Sequence, residues 1–293
     1  MKSLKIVVLL SIFSFQSFFA QEVKEPEQSN IQNYTPSKLL EKGKWDIKWF
    51  NNLYTQTKAE SNGTTIDVPR SNFFTTSLEV FTGASSNKKF NVGLIVEYRY
   101  NTFEFPNSPL IDIAPGFGDT KTRSGLSHIA PSVKIAPFSS LPRFSIQSSF
   151  FIPVFDKESN ANGYLANKSY IWQNRFFYDY TFPGAKFQLF SELGTRLFLG
   201  KKEEGFANNS IELAPGVFLS YFPTNKFTVL GFVQHAQLVD LGNDFSQNYS
   251  AVGTGAKYQL TKVLNLEVLY SKFVRGKDSG LGQSFNLGLR AIF

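Results

Sequence analysis

Fifteen ionisable side chains fall at alternate positions of short segments spread along the chain. The acids are Asp46, Glu79, Glu97, Asp179, Glu192, Glu212 and Glu267; the bases are Lys48, Arg99, Lys134, Arg175, Arg196, Lys257 and Arg290, with His128 beside them. The positions between them are mostly apolar. In extended backbone successive side chains point to opposite faces, so this spacing gathers the charges on one face. The two signs balance, and neighbouring segments should pair them: Glu97 or Arg99 with Lys134, Arg175 or Asp179 with Glu192 and Arg196, Glu267 with Lys257 and Arg290. Such a set either braces a wall around held water or lines a conduit for small hydrated solutes. Both readings stand at this point.

Other chemistries find less support. A serine hydrolase needs a serine and a histidine brought together and an orienting third group. Ser127 and His128 are adjacent, so on a strand they diverge, His128 with the charges and Ser127 with the apolar set. His235 lies toward the outer end of a segment whose register is unsettled, and no G-x-S-x-G occurs. A lipid-modifying enzyme is therefore the least favoured alternative, and the chain is read as a non-enzyme. Cysteine is absent and the two histidines are far apart, which removes thiolate and histidine-rich metal sites. Gly253-Thr-Gly255 lies within a strand rather than between strand and helix, so it makes no phosphate cradle. No metal or cofactor is expected.

The elements that must hold these charges are strands. In the last stretch Phe285, Leu287, Leu289, Ala291 and Phe293 alternate with Ser284, Asn286, Gly288, Arg290 and Ile292. The same alternation recurs in twelve segments: 44–57, 71–84, 89–103, 122–136, 143–155, 168–182, 186–200, 208–222, 226–239, 246–260, 263–275 and 281–293. After even-numbered segments the connections are short, such as Pro183–Ala185 and Thr261–Lys262. After odd-numbered ones they are longer: Lys58–Arg70, Glu104–Lys121, Asp156–Asn167, Lys201–Ala207, Asp240–Phe245 and Gly276–Gly280. Tight turns at one rim and long loops at the other, with a lipid-type apolar face, predict a transmembrane antiparallel up-and-down β-barrel. Twelve strands about 4.8 Å apart and tilted about 40° would enclose a backbone tube roughly 24 Å across. The alternative is a soluble sandwich or barrel with those apolar faces packed inside. Pro131, Pro153 and Pro215 sit awkwardly within segments, since proline removes a ladder hydrogen bond. The apolar loop 104–121 is either a lid folded inward or a surface loop.

Residues 1–20 read as a secretory signal: Lys2 and Lys5, a short apolar run, then a cut near Ala20. Residues 21–43 form a polar periplasmic lead-in, in which Thr35, Pro36 and Gly43 could bound one helical turn. The barrel occupies 44–293. The net charge of +7 is not clustered in a nucleic-acid stripe, and the basic residues at the short turns either meet anionic lipid head groups or are simply solvated.

Lys44-Trp-Asp-Ile-Lys-Trp-Phe-Asn-Asn-Leu-Tyr54, after a signal and a short polar lead, resembles the outer-membrane proteins grouped with the MetA-pathway phenol-degradation family. That resemblance implies a Gram-negative outer-membrane barrel taking up small organic solutes. The terminal strand resembles the C-terminal strands of such barrels, which implies that Phe285, Leu287, Leu289 and Phe293 form a membrane-assembly signal. The expected partners are then outer-membrane lipid, the barrel assembly machinery and a small solute, with no nucleic acid. The expected function is passive solute passage. The alternative is a closed structural barrel that binds a partner through its outer loops.

Overall fold

The alternating segments close on one another. The computed structural model describes residues 35–105 and 121–293. Its strands are β1 (Trp45–Ser61), β2 (Thr64–Gly83), β3 (Phe90–Phe105), β4 (Lys121–Ile135), β5 (Phe144–Pro153), the two-residue β6 (Ser159–Asn160) and β7 (Gly163–Tyr164), β8 (Tyr170–Thr181), β9 (Phe187–Leu199), β10 (Ser210–Thr224), β11 (Phe227–Asp240), β12 (Gln247–Gln259), β13 (Leu264–Lys277) and β14 (Gln283–Ile292). All but β6 and β7 form a closed twelve-stranded antiparallel barrel, in which β1 pairs with both β2 and β14. Closure removes the sheet edge, which is why β14 can carry an unguarded apolar face. Phe285 and Leu287 are exposed on the outer wall, and Phe293 exchanges both backbone hydrogen bonds with Trp45 at 2.8 and 3.0 Å.

The outer wall is apolar and its ends are aromatic. Trp45, Trp49, Trp172, Tyr178 and Tyr180 all face outward. The indole N–H of Trp49 donates to the Thr76 hydroxyl at 2.8 Å, and that of Trp172 to Ser148 at 3.0 Å. Each ring buries its polar handle in the wall and leaves its apolar body outside, as interfacial aromatics do.

Three local features differ from the sequence reading or settle it. The loop expected over Lys58–Arg70 is instead strand. β1 and β2 run on to the pair Ser61–Thr64 and turn through Asn62 and Gly63, at φ 51° and 82°. A two-residue hairpin turn of this hand needs positive φ at both central residues, which asparagine and glycine tolerate. The prolines fall where the ladder is already interrupted: Pro131 pairs with Leu94 of β3 but with nothing on β5, and Pro215 with Leu193 of β9 but with nothing on β11. The ambiguous β11 takes the even register, with Leu230 and Phe232 buried inside and Val229 and Val233 exposed outside.

Residues 35–43, which by sequence could form one helical turn or none, make a single turn at their start. Thr35 and Lys38 close one turn through a 3.1 Å backbone bond, and the chain then runs extended along the inside of the barrel end. Thr35, Ser37 and Leu40 are buried there. The expected signal 1–20 and the lead-in as far as residue 34 lie outside the described residues. The segment crosses β2 at Gly83, where Gly43 N–H meets the Gly83 carbonyl at 3.0 Å. A Cβ on Gly83 would stand 1.9 Å from the Glu41 carbonyl oxygen, so only glycine permits the crossing. Gly83→Val is therefore expected to lift residues 36–42 off the wall while β2 still pairs. Faster amide exchange confined to those residues would be the readout, and unchanged protection would contradict the reading.

Candidate functional site

Building inward from the wall, the even positions of β1 and the odd positions of β2, with their register partners on the other strands, enclose a chamber of about 720 Å³. Of the fifteen sequence-predicted residues, Lys48, Arg99, Arg175, Glu192, Arg196, Lys257 and Glu267 line it. Asp46, Glu79, Lys134 and Arg290 surround a second pocket of about 50 Å³, which Pro36 helps to line. Glu212 reaches the chamber edge through Arg196, 3.5 Å away. Asp179 is buried against the N-terminal segment, accepting from the Ser37 hydroxyl. Glu97 and His128 sit in the wall at β3 and β4.

The charges pair across neighbouring strands, though not always as the sequence suggested. Arg175 and Glu192 form a two-point pair at 2.6 and 3.1 Å, and Lys257 meets Glu267 at 2.6 Å. Arg290 instead grips Asp46 at 2.8 and 2.5 Å, across the β1–β14 seam. Glu97 pairs with Arg99 on its own strand at 2.8 Å rather than with Lys134. The Lys134 ammonium donates to the carbonyls of Pro36 and Lys38, the latter at 2.8 Å, and so ties down the N-terminal segment. Thr35 donates to Gln188 at 3.2 Å and Leu40 N–H to Asn91 at 3.3 Å. Outside the barrel end Lys88 lies 2.5 Å from Glu41 and, through that hydrogen bond, holds its carboxyl below the usual range.

The cations outnumber the carboxylates on the chamber surface, five to two. Lys48 has no carboxylate within 4 Å among the described residues, and its ammonium lies 4.6 Å from the Phe50 ring centre. Among these charges runs a series of aromatic rings that parity alone could have exposed. Phe177, Phe190, Phe218 and Phe232 stack in sequence across β8 to β11 at 5.9, 5.6 and 5.1 Å. Tyr249, Phe273, Tyr54 and Phe73 continue it from β12 to β2 at 4.5, 4.8 and 6.1 Å. All stand on the same strand face as the charges. Eight strands are thus lined with these rings, and the wall of β3 to β5 is covered by a loop. The connection 154–169, with its β6–β7 hairpin, tucks inside the mouth. Asn101 donates to the Tyr164 and Leu165 carbonyls at 3.0 and 2.9 Å, and Arg123 to the Glu158 and Gly163 carbonyls at 2.6 and 3.1 Å. The loop 104–121, read as either a lid or a surface loop, falls mainly on residues 106–120, which lie outside the described residues.

The serine and histidine neighbours do not diverge. A bulge opposite Glu97 and Tyr98 makes Ser127 the extra residue, and it turns both Ser127 and His128 into the interior. The Ser127 hydroxyl donates to the Glu97 carboxylate at 2.6 Å, while His128 Nδ1 lies 3.6 Å from the same oxygen. The hydroxyl therefore has a carboxylate, not the imidazole, as its acceptor, and no activated nucleophile results. His235 faces outward, with Nδ1 2.9 Å from the Ser250 hydroxyl and no hydrogen bond to its other ring nitrogen among the described residues.

No protein-family model matches the chain, the phenol-degradation family included, and no curated protein matches it. The fold is that of outer-membrane β-barrels. An outer membrane channel from Pseudomonas putida F1 superposes with a TM-score of 0.68 at 10% identity, over 88% of this chain and 98% of that one. The β-domain of the Bordetella autotransporter BrkA superposes with a TM-score of 0.57 at 12% identity, over 85% of this chain and 99% of that one.

Proposed function

We infer that the chain is an outer-membrane channel admitting small organic anions with an aromatic or apolar body. One observation carries this reading: aromatic rings line the same chamber as the charges, and there Arg99, Arg175, Arg196 and Lys257 are matched by carboxylates while Lys48 has none within 4 Å among the described residues. Rings take up the apolar part of a solute, and fixed cations stabilise an anionic group where the wall excludes bulk water. The outward apolar wall with its aromatic ends supports membrane residence, and the likeness in fold to an outer membrane channel agrees with it.

In proteoliposomes, a benzoate-sized aromatic carboxylate should enter about tenfold faster than the benzylammonium of the same size. Lys48→Glu should erase that preference. Equal entry of both solutes into wild-type vesicles would sink the reading.

A second reading, a closed barrel serving as a structural or docking element, is favoured by the segment 35–40 filling the periplasmic end. The two readings differ in whether that segment can leave.

A further inference from the structure

Among the described residues the outer wall carries a column of cations at the rim farthest from the N-terminal segment. On β13 the outward positions run Val268, Tyr270, Lys272, Val274, Arg275 and Lys277. The inward Ser271 and Phe273 line the chamber, and a bulge at residues 273–275 keeps Arg275 on the outside opposite Ser250. Three cations therefore stand one above another on the outer face. None has a carboxylate within 4 Å among the described residues. Lys272 is held by the Leu281 carbonyl at 3.2 Å. Of the nearby acids, Glu60 accepts the Gly63 and Asp278 N–H groups and Asp240 those of Gly242 and Asn243, while the Asp278 carboxylate has no cation within 4 Å among the described residues. Beside the cations sit neutral hydrogen-bonding groups, Ser250 against Arg275 and Asn248 against Lys277.

Directly below this rim the wall is greasy: Tyr270, Phe285, Val268, Leu287 and Val252 are all exposed. An uncompensated cation column over an apolar wall matches an anionic head on acyl chains. The column also measures its ligand. The bulge adds no ladder step, so the four steps from Val252 to Asn248 on β12 set Lys272 and Lys277 roughly 14 Å apart at about 3.4 Å each, more than one phosphate can span. Phosphatidylglycerol and phosphatidylethanolamine each offer a single phosphate. The geometry points to a site for an outer-leaflet glycolipid carrying two phosphates, bound by Lys272, Arg275 and Lys277 with its acyl chains on the wall of β12 to β14.

This inference rests on the outer-membrane reading, and the experiment separates the two. Wild type and the triple variant Lys272→Gln/Arg275→Gln/Lys277→Gln would be purified from outer membranes in mild detergent. Glycolipid retained per barrel would be measured by mass spectrometry. Each cation near an anionic lipid contributes roughly fivefold in affinity, so retention should fall by more than tenfold in the variant. As a second arm, wild type alone would be incubated with diphosphoryl lipid A, with its dephosphorylated form, and with phosphatidylglycerol vesicles. Only the first should raise the temperature at which the compact gel band is lost. Equal retention by variant and wild type, or equal protection by phosphatidylglycerol, would overturn the site. If the variant does not fold, the wild-type arm decides alone. Recovery of the protein outside the outer membrane would instead overturn the localisation.

Discussion

A chain lacking residues 35–40 should conduct ions about tenfold better than the intact protein in planar bilayers. The segment occupies the short-turn end of the barrel, where Thr35, Ser37 and Leu40 are buried and Pro36 borders both the chamber and a second, smaller pocket. Its grip combines one apolar anchor, Leu40 packed against Phe81, Ile95 and Ala130, with a set of polar contacts. Gln188, Asp179, Asn91 and Lys134 each hold one or two of its groups. Polar contacts of this kind are individually modest, because water replaces them when the segment leaves. Lys134→Met removes two of them without shortening the chain and should give intermediate, flickering conductance. If deletion and point variant both leave the current unchanged, the closed structural reading gains and the channel reading falls.

The largest loss of stability is expected at the seam, from Asp46→Asn. Asp46 and Arg290 make a two-point pair with side chains only 14% exposed on each side. Removing one partner takes from a poorly hydrated guanidinium its two-point counter-charge and leaves Glu79 and Glu267 around it, at a cost of up to about 3–5 kcal/mol. The loss would be read as a lower temperature for disappearance of the compact gel band. Replacing both partners, Asp46→Leu with Arg290→Met, should recover most of it, since no charge is then stranded. A double variant as unstable as the single one would show that the pair's hydrogen-bonding shape, not its charge balance, supports the seam.

Strand number, order and sidedness were legible because a period-two pattern has few alternatives over so many segments. Turns were less legible. The run Lys58–Arg70 lacks a strong apolar alternation and reads as loop, although Asn62-Gly63 is a hairpin signal that outweighs it. Ser127 was misplaced because a bulge adds a residue without any mark in the local sequence, and every inference from parity then shifts by one. The interior rings were overlooked for a different reason. Phe190, Phe218 and Phe273 share a face with Glu192, Glu212 and Glu267, but apolar residues are assigned outward by default in a membrane wall. The crossing of residues 35–43 depends on partners such as Asn91, Lys134 and Gln188, all distant in sequence, and no local pattern announces such contacts.

The seam also sets an order of events. Asp46 and Arg290 are 244 residues apart, so the tube cannot close until β13 and β14 have been laid beside their neighbours. Before that moment the sheet is an open ribbon with two raw margins, each able to recruit a strand from another molecule. Joining such remote stretches is intrinsically slow. The same pairing that makes the finished cylinder durable thus prolongs its most vulnerable stage, and crowding during synthesis should penalise this chain more than a helical protein of equal length.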